Sequence, residues 1–330
     1  MSGNGDGSRS RPAEEPPPDP RPRLAHDRAV PRTVFVAPRR AARPIDTPGD
    51  SSAADCPFCA GHEHLTPDEV LRFPGPAAAW VARIIPNRYP VVEAFAAGST
   101  TGSDTPAHGV HEVLVESPDH QTSILGIDPV AWRAAWSLCQ RRLAQLAERG
   151  DLAWTTVFKN SGPAAGASLA HVHSQIVGLA FVPPLAVAEL DLAGGVADPF
   201  ADLLTAAAAD DRIVATAADL VALVPPAPRQ PYETWILPRH PRPHLHADAG
   251  SVGALADLTR LVVGRLEHLA PGADYNWWLH QAPLVGLLPA RWHWHLEILP
   301  RLSGFAGFEL ATGCHVTTAG ATESARQLRA

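Results

Sequence analysis

Short stretches of the chain alternate between apolar and polar residues, and two longer ones repeat apolar residues every three to four positions. Alternation marks a half-buried strand, and the longer period marks one face of a helix. On this reading strands run over 33–37, 80–85, 111–116, 154–158 and 173–177. A helix runs over 129–149, with Trp132, Trp136, Leu143 and Leu146 on or near one face. The second half repeats the pattern, with strands at 233–238, 275–279 and 293–298 and a helix at 251–269. The spacing supports a duplication: His171 follows Glu112 by 59 residues, and His293 follows Glu233 by 60. Strands mixed with single long helices predict an α+β fold of two similar halves, 31–190 and 191–330, mainly antiparallel sheets with helices packed on them. The two sheets are expected to be continuous. Residues 1–30, rich in Gly, Ser, Pro and charge, are expected to form a disordered tail, and the polar stretch at 97–108 a flexible loop.

Composition narrows the function classes. Of 330 residues, 45% are hydrophobic and 18% charged, which suits a soluble globular chain. The longest apolar run, 176–188, is short of the roughly 20 residues a membrane helix needs and is interrupted by Pro183 and Pro184, so no membrane partner is expected. A net charge of −7 argues against an overall electrostatic grip on nucleic acid. Lys159 is the single lysine, which excludes a P-loop lysine signature and leaves one candidate for Schiff-base chemistry. Four cysteines do not make a disulfide scaffold, and the N-terminus lacks the apolar core of a signal peptide, so a cytoplasmic location is expected.

Three groups of residues carry candidate chemistry. On a strand, His171, His173 and Gln175 share a face, and the loop just upstream, 160–168, is built from small residues that let backbone N–H groups approach a phosphate. A neutral imidazole placed there can attack phosphorus and pass the group on. The plainer alternative is three polar residues on a solvent-facing strand. Cys56-x-x-Cys59 has the spacing of half a zinc site, with histidines available to complete it; a redox pair is the alternative. Cys139 falls on the first helix and reads as core. His280, His293 and His295, with Glu297 continuing the strand face, suit a divalent metal or form a row of ordinary polar side chains on an exposed sheet.

Taken in order, the pieces APRRAARP (37–44), CPFC (56–59), PNRYP (86–90), ESPDH (116–120), FKNSGPAAGAS (158–168), HVHSQ (171–175), WLHQAP (278–283), WHWHLEILP (292–300) and GFELATG (307–313) resemble the galactose-1-phosphate uridylyltransferase family, a duplicated branch of the histidine-triad superfamily. The resemblance runs from about Val34 to Arg329. It implies two tandem histidine-triad-like halves, the N-terminal one catalytic, and a homodimer. It implies His173 as a nucleophile that forms a nucleotidyl-histidine and Gln175 as a hydrogen-bond partner of the transferred phosphoryl group. Cys56, Cys59, His120 and His171 match a zinc set. Arg40, Arg43, Asn160 and Ser168 match positions that hold nucleotide phosphates, with Gly162 in the same loop. Asn87 matches a residue near the nucleoside, and Glu309 one that serves the sugar phosphate. Glu189, His280, His293 and His295 match a second site for a divalent metal such as iron. The implied partners are a nucleotide sugar and a hexose 1-phosphate, and the leading implied reaction is UMP transfer from UDP-glucose to galactose 1-phosphate. The alternatives are an ADP-sugar phosphorylase or adenylyltransferase of the same family and a non-catalytic, zinc-stabilised nucleotide-binding protein. The sequence departs from the family at Val172, where proline is common, at Ser303 and His315, where a lysine and a glutamine serve the sugar phosphate, and at Phe308, where tyrosine is frequent.

Overall fold

A computed structural model describes residues 20–26, 32–44, 52–75, 78–94, 105–194, 198–286 and 290–330. The expected α+β architecture is present. Thirteen strands and six α-helices form among these residues, and every strand pairing is antiparallel.

A small sheet is built from β1 (Arg23–His26), β2 (Thr33–Val36) and β5 (Thr105–Pro106), in the order β2-β1-β5. This corrects the expectation of a disordered tail for part of its length. Arg23–His26 lies inside that segment yet pairs with β2 over four residues. Its two partners, β2 and β5, flank it in the sheet, and Leu24 and Phe35 pack against buried Val92 and Ala107. The rest of the expected tail, 1–19 and 27–30, and 97–104 of the expected loop lie outside the described residues.

The main sheet has ten strands. The first half supplies β3 (Leu71–Phe73), β4 (Ala82–Pro86), β6 (Gly109–Val115), β7 (Trp154–Ser161) and β8 (His173–Leu179). The second half supplies β9 (Ile213–Ala217), β10 (Leu220–Leu223), β11 (Thr234–Pro238), β12 (Tyr275–His280) and β13 (His295–Pro300). The order is β3-β4-β6-β8-β7-β12-β13-β11-β10-β9. The run β6-β8-β7 is mirrored by β12-β13-β11, so the repeat seen in the spacing is also a repeat of topology. The β7–β12 ladder joins the halves into one sheet, as expected.

One helix of each half lies on the same face of the sheet. α1 (Pro129–Ala147) starts at Asp128, whose carboxylate accepts from the Val130 and Ala131 N–H groups, and Pro129 takes the first helical position. α4 (Val252–Leu269) packs beside it. Their apolar stripes bury Trp132, Trp136, Leu143, Leu258, Val262 and Leu266 against Trp277 and Ile298 of the sheet. The Trp132 indole N–H is shared between the Ala256 carbonyl and the Thr259 hydroxyl of α4, each at 3.1 Å. The opposite face is covered by the Cys56–Cys59 segment in the first half. In the second it is covered by α2 (Pro184–Ala193) and α3 (Pro199–Ala209). α2 runs across the expected division at residue 190, because it carries Glu189 to His280 of β12. α5 (Gly307–Thr312) is exposed, and α6 (Ala321–Arg329) seats Ala325 and Leu328 in the main core.

Because the shared helix layer joins the halves, Trp132→Ala is expected to cost about 3–5 kcal/mol and to leave a single unfolding transition. Urea unfolding followed by circular dichroism tests this. Two separate transitions, or a loss under about 1 kcal/mol, would contradict it.

Candidate active site

The site is built on β8 and its neighbours β6 and β7. In the β6–β8 register Val115 faces His173, Val113 faces Gln175 and His111 faces Val177. Directly opposed residues share a face, so His111, His173 and Gln175 lie on the sheet face opposite the helices. That face opens into a cavity of about 380 Å³ whose lining includes Arg43, Asn87, Ser168, His173 and Gln175. The alternative of a solvent-facing strand is excluded, since every residue of β8 is buried.

The geometry assigns the His173 tautomer. Its Nδ1 lies 2.8 Å from the carbonyl of His171, which can only accept, so Nδ1 carries the hydrogen. Burial, and next the nearby Lys159 ammonium, pull the ring down to about 3, so it is neutral near pH 7. The lone pair is then on Nε2, and the ring is packed edge-on by Phe58 at 5.4 Å. Beneath the strand, Lys159 donates to the His173 carbonyl at 2.8 Å and pairs with the buried carboxylate of Glu116, which also accepts from Ser174. The single lysine is therefore a buried brace, and burial lowers its pKa.

Beside β8, Cys56, Cys59, His120 and His171 bring one ligand atom each within 4.8 Å of one another. The Cys56 and Cys59 sulfurs lie 3.4 and 3.7 Å from Nδ1 of His171, and Cys59 lies 3.5 Å from Nδ1 of His120. These spacings match the roughly 3.6 Å expected between sulfur and nitrogen across a tetrahedral zinc ion. The His171 Nε2–H donates to the Ser117 carbonyl at 2.9 Å, which leaves Nδ1 free as a ligand. Burial and the neighbouring Cys56 push the Cys59 thiol up to about 11, so a cation is required to hold the pair as thiolates. The donor set fits zinc and leaves the redox-pair alternative without support.

A second group brings together Glu189, His280, His295 and Glu297, again within 4.8 Å. It differs from the expected set in one member. His293 precedes β13 and bridges to Arg242, and its Nδ1 donates to the Pro238 carbonyl at 2.7 Å. That bond leaves His293 Nε2 buried with no hydrogen-bond partner among the described residues, while Glu297 stands in the group. Glu297 is also paired with Arg229, which reaches Glu233 as well.

The phosphate-loop residues divide. Arg43 and Ser168 line the cavity, and Arg40 stands behind it, donating to the Tyr89 carbonyl at 2.8 Å. Burial lowers both arginine pKa values, and Arg40 further lowers that of Arg43, as expected of cations gathered where an anion is to bind. Asn160 and Gly162 shape the loop and are not on the cavity wall. Asn276 donates to the Asn160 side-chain oxygen at 2.9 Å, and Gly162 sits at φ +85° against Asp274. Glu309 is exposed on α5, where its carboxylate accepts from the Ala306 N–H at 2.9 Å and does not face the cavity. Asn87 lines the cavity and contacts His111 and Gln175.

The family model described as galactose-1-phosphate uridyl transferase, N-terminal domain, matches residues 26–183. An ADP-glucose phosphorylase of Arabidopsis thaliana is 32% identical over 328 residues, spanning 93% of this chain and 92% of that protein. The chain belongs to the galactose-1-phosphate uridylyltransferase family. A second member, the galactose-1-phosphate uridylyltransferase of Thermotoga maritima, is 25% identical over 90% of this chain and 94% of its own length. The crystal structure of an ADP-glucose phosphorylase from Arabidopsis thaliana with bound ADP-glucose superimposes with a TM-score of 0.74, 31% identity and coverage of 93% of this chain and 98% of that one. Family members are nucleotidyltransferases and phosphorylases.

Three side chains of this family site escaped the sequence reading in their roles: Lys159, Glu116 and His111. Lys159 was a readable signal, being the one lysine and lying on a strand leading into the phosphate loop. His111 shares the parity of Val113 and Val115, which marks its face but not its partners. Burial, with added pressure from Arg40 and Arg43, draws His111 down to about 4 despite its hydrogen bond to Gln175. The unfolded chain therefore takes up a proton below about pH 6.5 that the folded one refuses until about pH 4. Stability attributable to neutral His111 is expected to be present above pH 6.5 and to fall by about 2–3 kcal/mol as pH drops to 4. Urea unfolding of the wild type and His111→Gln at pH 7 and 4.5 should show the variant with a flatter pH dependence. Equal slopes would contradict the assignment.

Proposed function

We propose that the protein transfers a nucleotidyl group from a nucleoside diphosphate sugar, with ADP-glucose as the favoured donor and inorganic phosphate as the acceptor. The observation that carries this reading is the His173 ring: its Nδ1–H is tied to the His171 carbonyl, which leaves the lone pair on Nε2, and the residue lines an arginine-bearing cavity. The choice of adenine and phosphate is supported by the 32% identity, over nearly the whole chain, with an ADP-glucose phosphorylase.

In the first step Nε2 attacks the α-phosphorus in line. The N–P bond forms, the bridging P–O bond breaks, and glucose 1-phosphate leaves with the bridging oxygen. The ring becomes cationic while Nδ1–H stays on the His171 carbonyl. In the second step a phosphate oxygen attacks the same phosphorus, the N–P bond breaks, and ADP leaves. No proton transfer is needed, because a sugar phosphate and a neutral imidazole are both good leaving groups. A glutamine rather than an acid at position 175 suits this chemistry, since a neutral amide can donate to a phosphoryl oxygen without supplying a proton. Arg43 and Arg40 stabilise the charge on the transferring group, and Ser168 and Asn87 position the nucleotide.

Zinc held by Cys56, Cys59, His120 and His171 supplies a rigid anchor rather than Lewis-acid chemistry. It would fix His171, whose carbonyl in turn orients His173. The second group ties α2 to β12 and β13 and has donors for a divalent cation of the iron class; no step of the transfer runs through it. The uridylyl reading, with UDP-glucose and galactose 1-phosphate, keeps the same chemistry and is supported by the Thermotoga maritima relative at 25% identity.

Intact mass spectrometry after mixing with ADP-glucose or UDP-glucose should show an adenylyl adduct, discharged by inorganic phosphate. A uridylyl adduct discharged by galactose 1-phosphate would instead support the second reading. His173→Ala should retain its circular dichroism and lose the adduct and about 10³-fold or more of turnover; a persisting adduct would reject the nucleophile. Cys56→Ser should drop metal content from about one zinc in the four-ligand site and lower the thermal midpoint by about 5 °C or more. Unchanged zinc content would reject that ligand set.

A further inference from the structure

Gln175 has an amide that can present either its NH₂ or its carbonyl to the cavity, and only the NH₂ can donate to a phosphoryl oxygen. Two backbone N–H groups decide which. The Val91 N–H donates to His111 Nδ1 at 3.0 Å, so the hydrogen of the neutral His111 ring is on Nε2. That Nε2 lies 2.9 Å from Gln175 Oε1. The Tyr89 N–H donates to Asn87 Oδ1 at 2.8 Å, so the Asn87 NH₂ is turned the other way, 3.4 Å from the same Gln175 oxygen. The 3.1 Å approach between Asn87 Nδ2 and His111 Nε2 is then two donors converging on one acceptor. Turning the Gln175 amide over would set its NH₂ against both donors in a buried site.

We propose that His111 is a positioning residue: by donating from Nε2 to Gln175 Oε1 it fixes the glutamine amide with its NH₂ toward the transferring phosphoryl group. Among the described residues the Gln175 NH₂ has no other partner, so it is left for the substrate. The segment 86–91, which supplies Asn87 and the Tyr89 and Val91 N–H groups, thus sets the polarity of a side chain on β8 through one histidine on β6. This proposal rests on the nucleotidyl-transfer reading. It adds to that reading a requirement on a residue that does not touch substrate.

The test is a double-mutant cycle on single-turnover adduct formation with ADP-glucose. His111→Leu removes the donor and keeps the bulk, and it should slow adduct formation about 10- to 100-fold while changing the affinity for ADP-glucose little. Gln175→Leu should show a loss of similar size, and the double variant should be no slower than Gln175→Leu alone. His111→Gln places an amide donor near the lost Nε2 and should recover most of the rate. Additive losses in the cycle, or a His111→Leu rate near that of wild type, would overturn the proposal. Should His111→Leu fail to fold, shown by its circular dichroism, the comparison of His111→Gln with wild type carries the test. Failure of that folded variant to recover the rate then overturns the proposal. Nitrogen-15 NMR of histidine-labelled protein reads the tautomer independently of activity. Protonation of His111 at Nδ1 would overturn the proposal even if transfer proceeds. A wild-type protein that forms no adduct would reject the transfer reading, and the orientation of Gln175 would then be decided by the nitrogen signals alone.

Discussion

The hydrogen bond from His173 Nδ1 to the carbonyl of His171, at 2.8 Å, is the constraint on which the site depends. It joins residues two apart in sequence, so it costs no long-range closure. It decides which ring nitrogen keeps its lone pair. Its acceptor is itself immobilised, because the His171 ring sits between the two cysteine sulfurs and the Ser117 carbonyl. The carbonyl two residues on, that of His173, is held from the other face of the sheet by Lys159. His173 and the residue that orients it are thus gripped from both faces, and the His173 side chain needs only one bond to be aimed.

The duplication offers an internal comparison. In the second half His295 makes the same bond, from Nδ1 to the carbonyl two residues back, at 3.1 Å. Its ring, however, is stacked between Trp235 at 5.0 Å and His280 at 4.8 Å. The residue in the place of Gln175 is the carboxylate Glu297. Burial works against charge on both, yet His295, His280 and Arg229 lower the pKa of Glu297, and the carboxylates of Glu297 and Glu189 raise that of His295. One strand pattern therefore gives an imidazole beside an amide in one half and an imidazole beside a carboxylate and a guanidinium in the other. The first arrangement suits attack on phosphorus, while in the second half the link from α2 to the sheet is Glu189 to His280.

Much of this was legible in the sequence where a local period carried it. The alternation at 171–175 placed His171, His173 and Gln175 on one face, the three-to-four spacing of Trp132, Trp136, Leu143 and Leu146 marked α1, and matched spacings revealed the repeat. What escaped had no local period. Arg23–His26 becomes a strand through partners on either side, not through its own pattern. β10 is a short continuous apolar run with no period of its own, and β9 and the short helices α2, α3, α5 and α6 lie in alanine-rich or polar stretches where strand and helix periods are weak. Alternation put His293, His295 and Glu297 on one face, but β13 begins only at His295, and alternation alone did not show that Glu297 joins Glu189, His280 and His295. His111 looked like one more strand position, because the atoms that give it a role, on Val91, Asn87 and Gln175, are fixed by tertiary structure.

The most direct measurement is the position of the bond to phosphorus. Phosphorus-31 NMR of the denatured intermediate, with peptide mapping, distinguishes a phosphoramidate on the two ring nitrogens. A nucleotidyl group on Nε2 of His173 is predicted. Attachment through Nδ1, or at any other residue, would contradict the account.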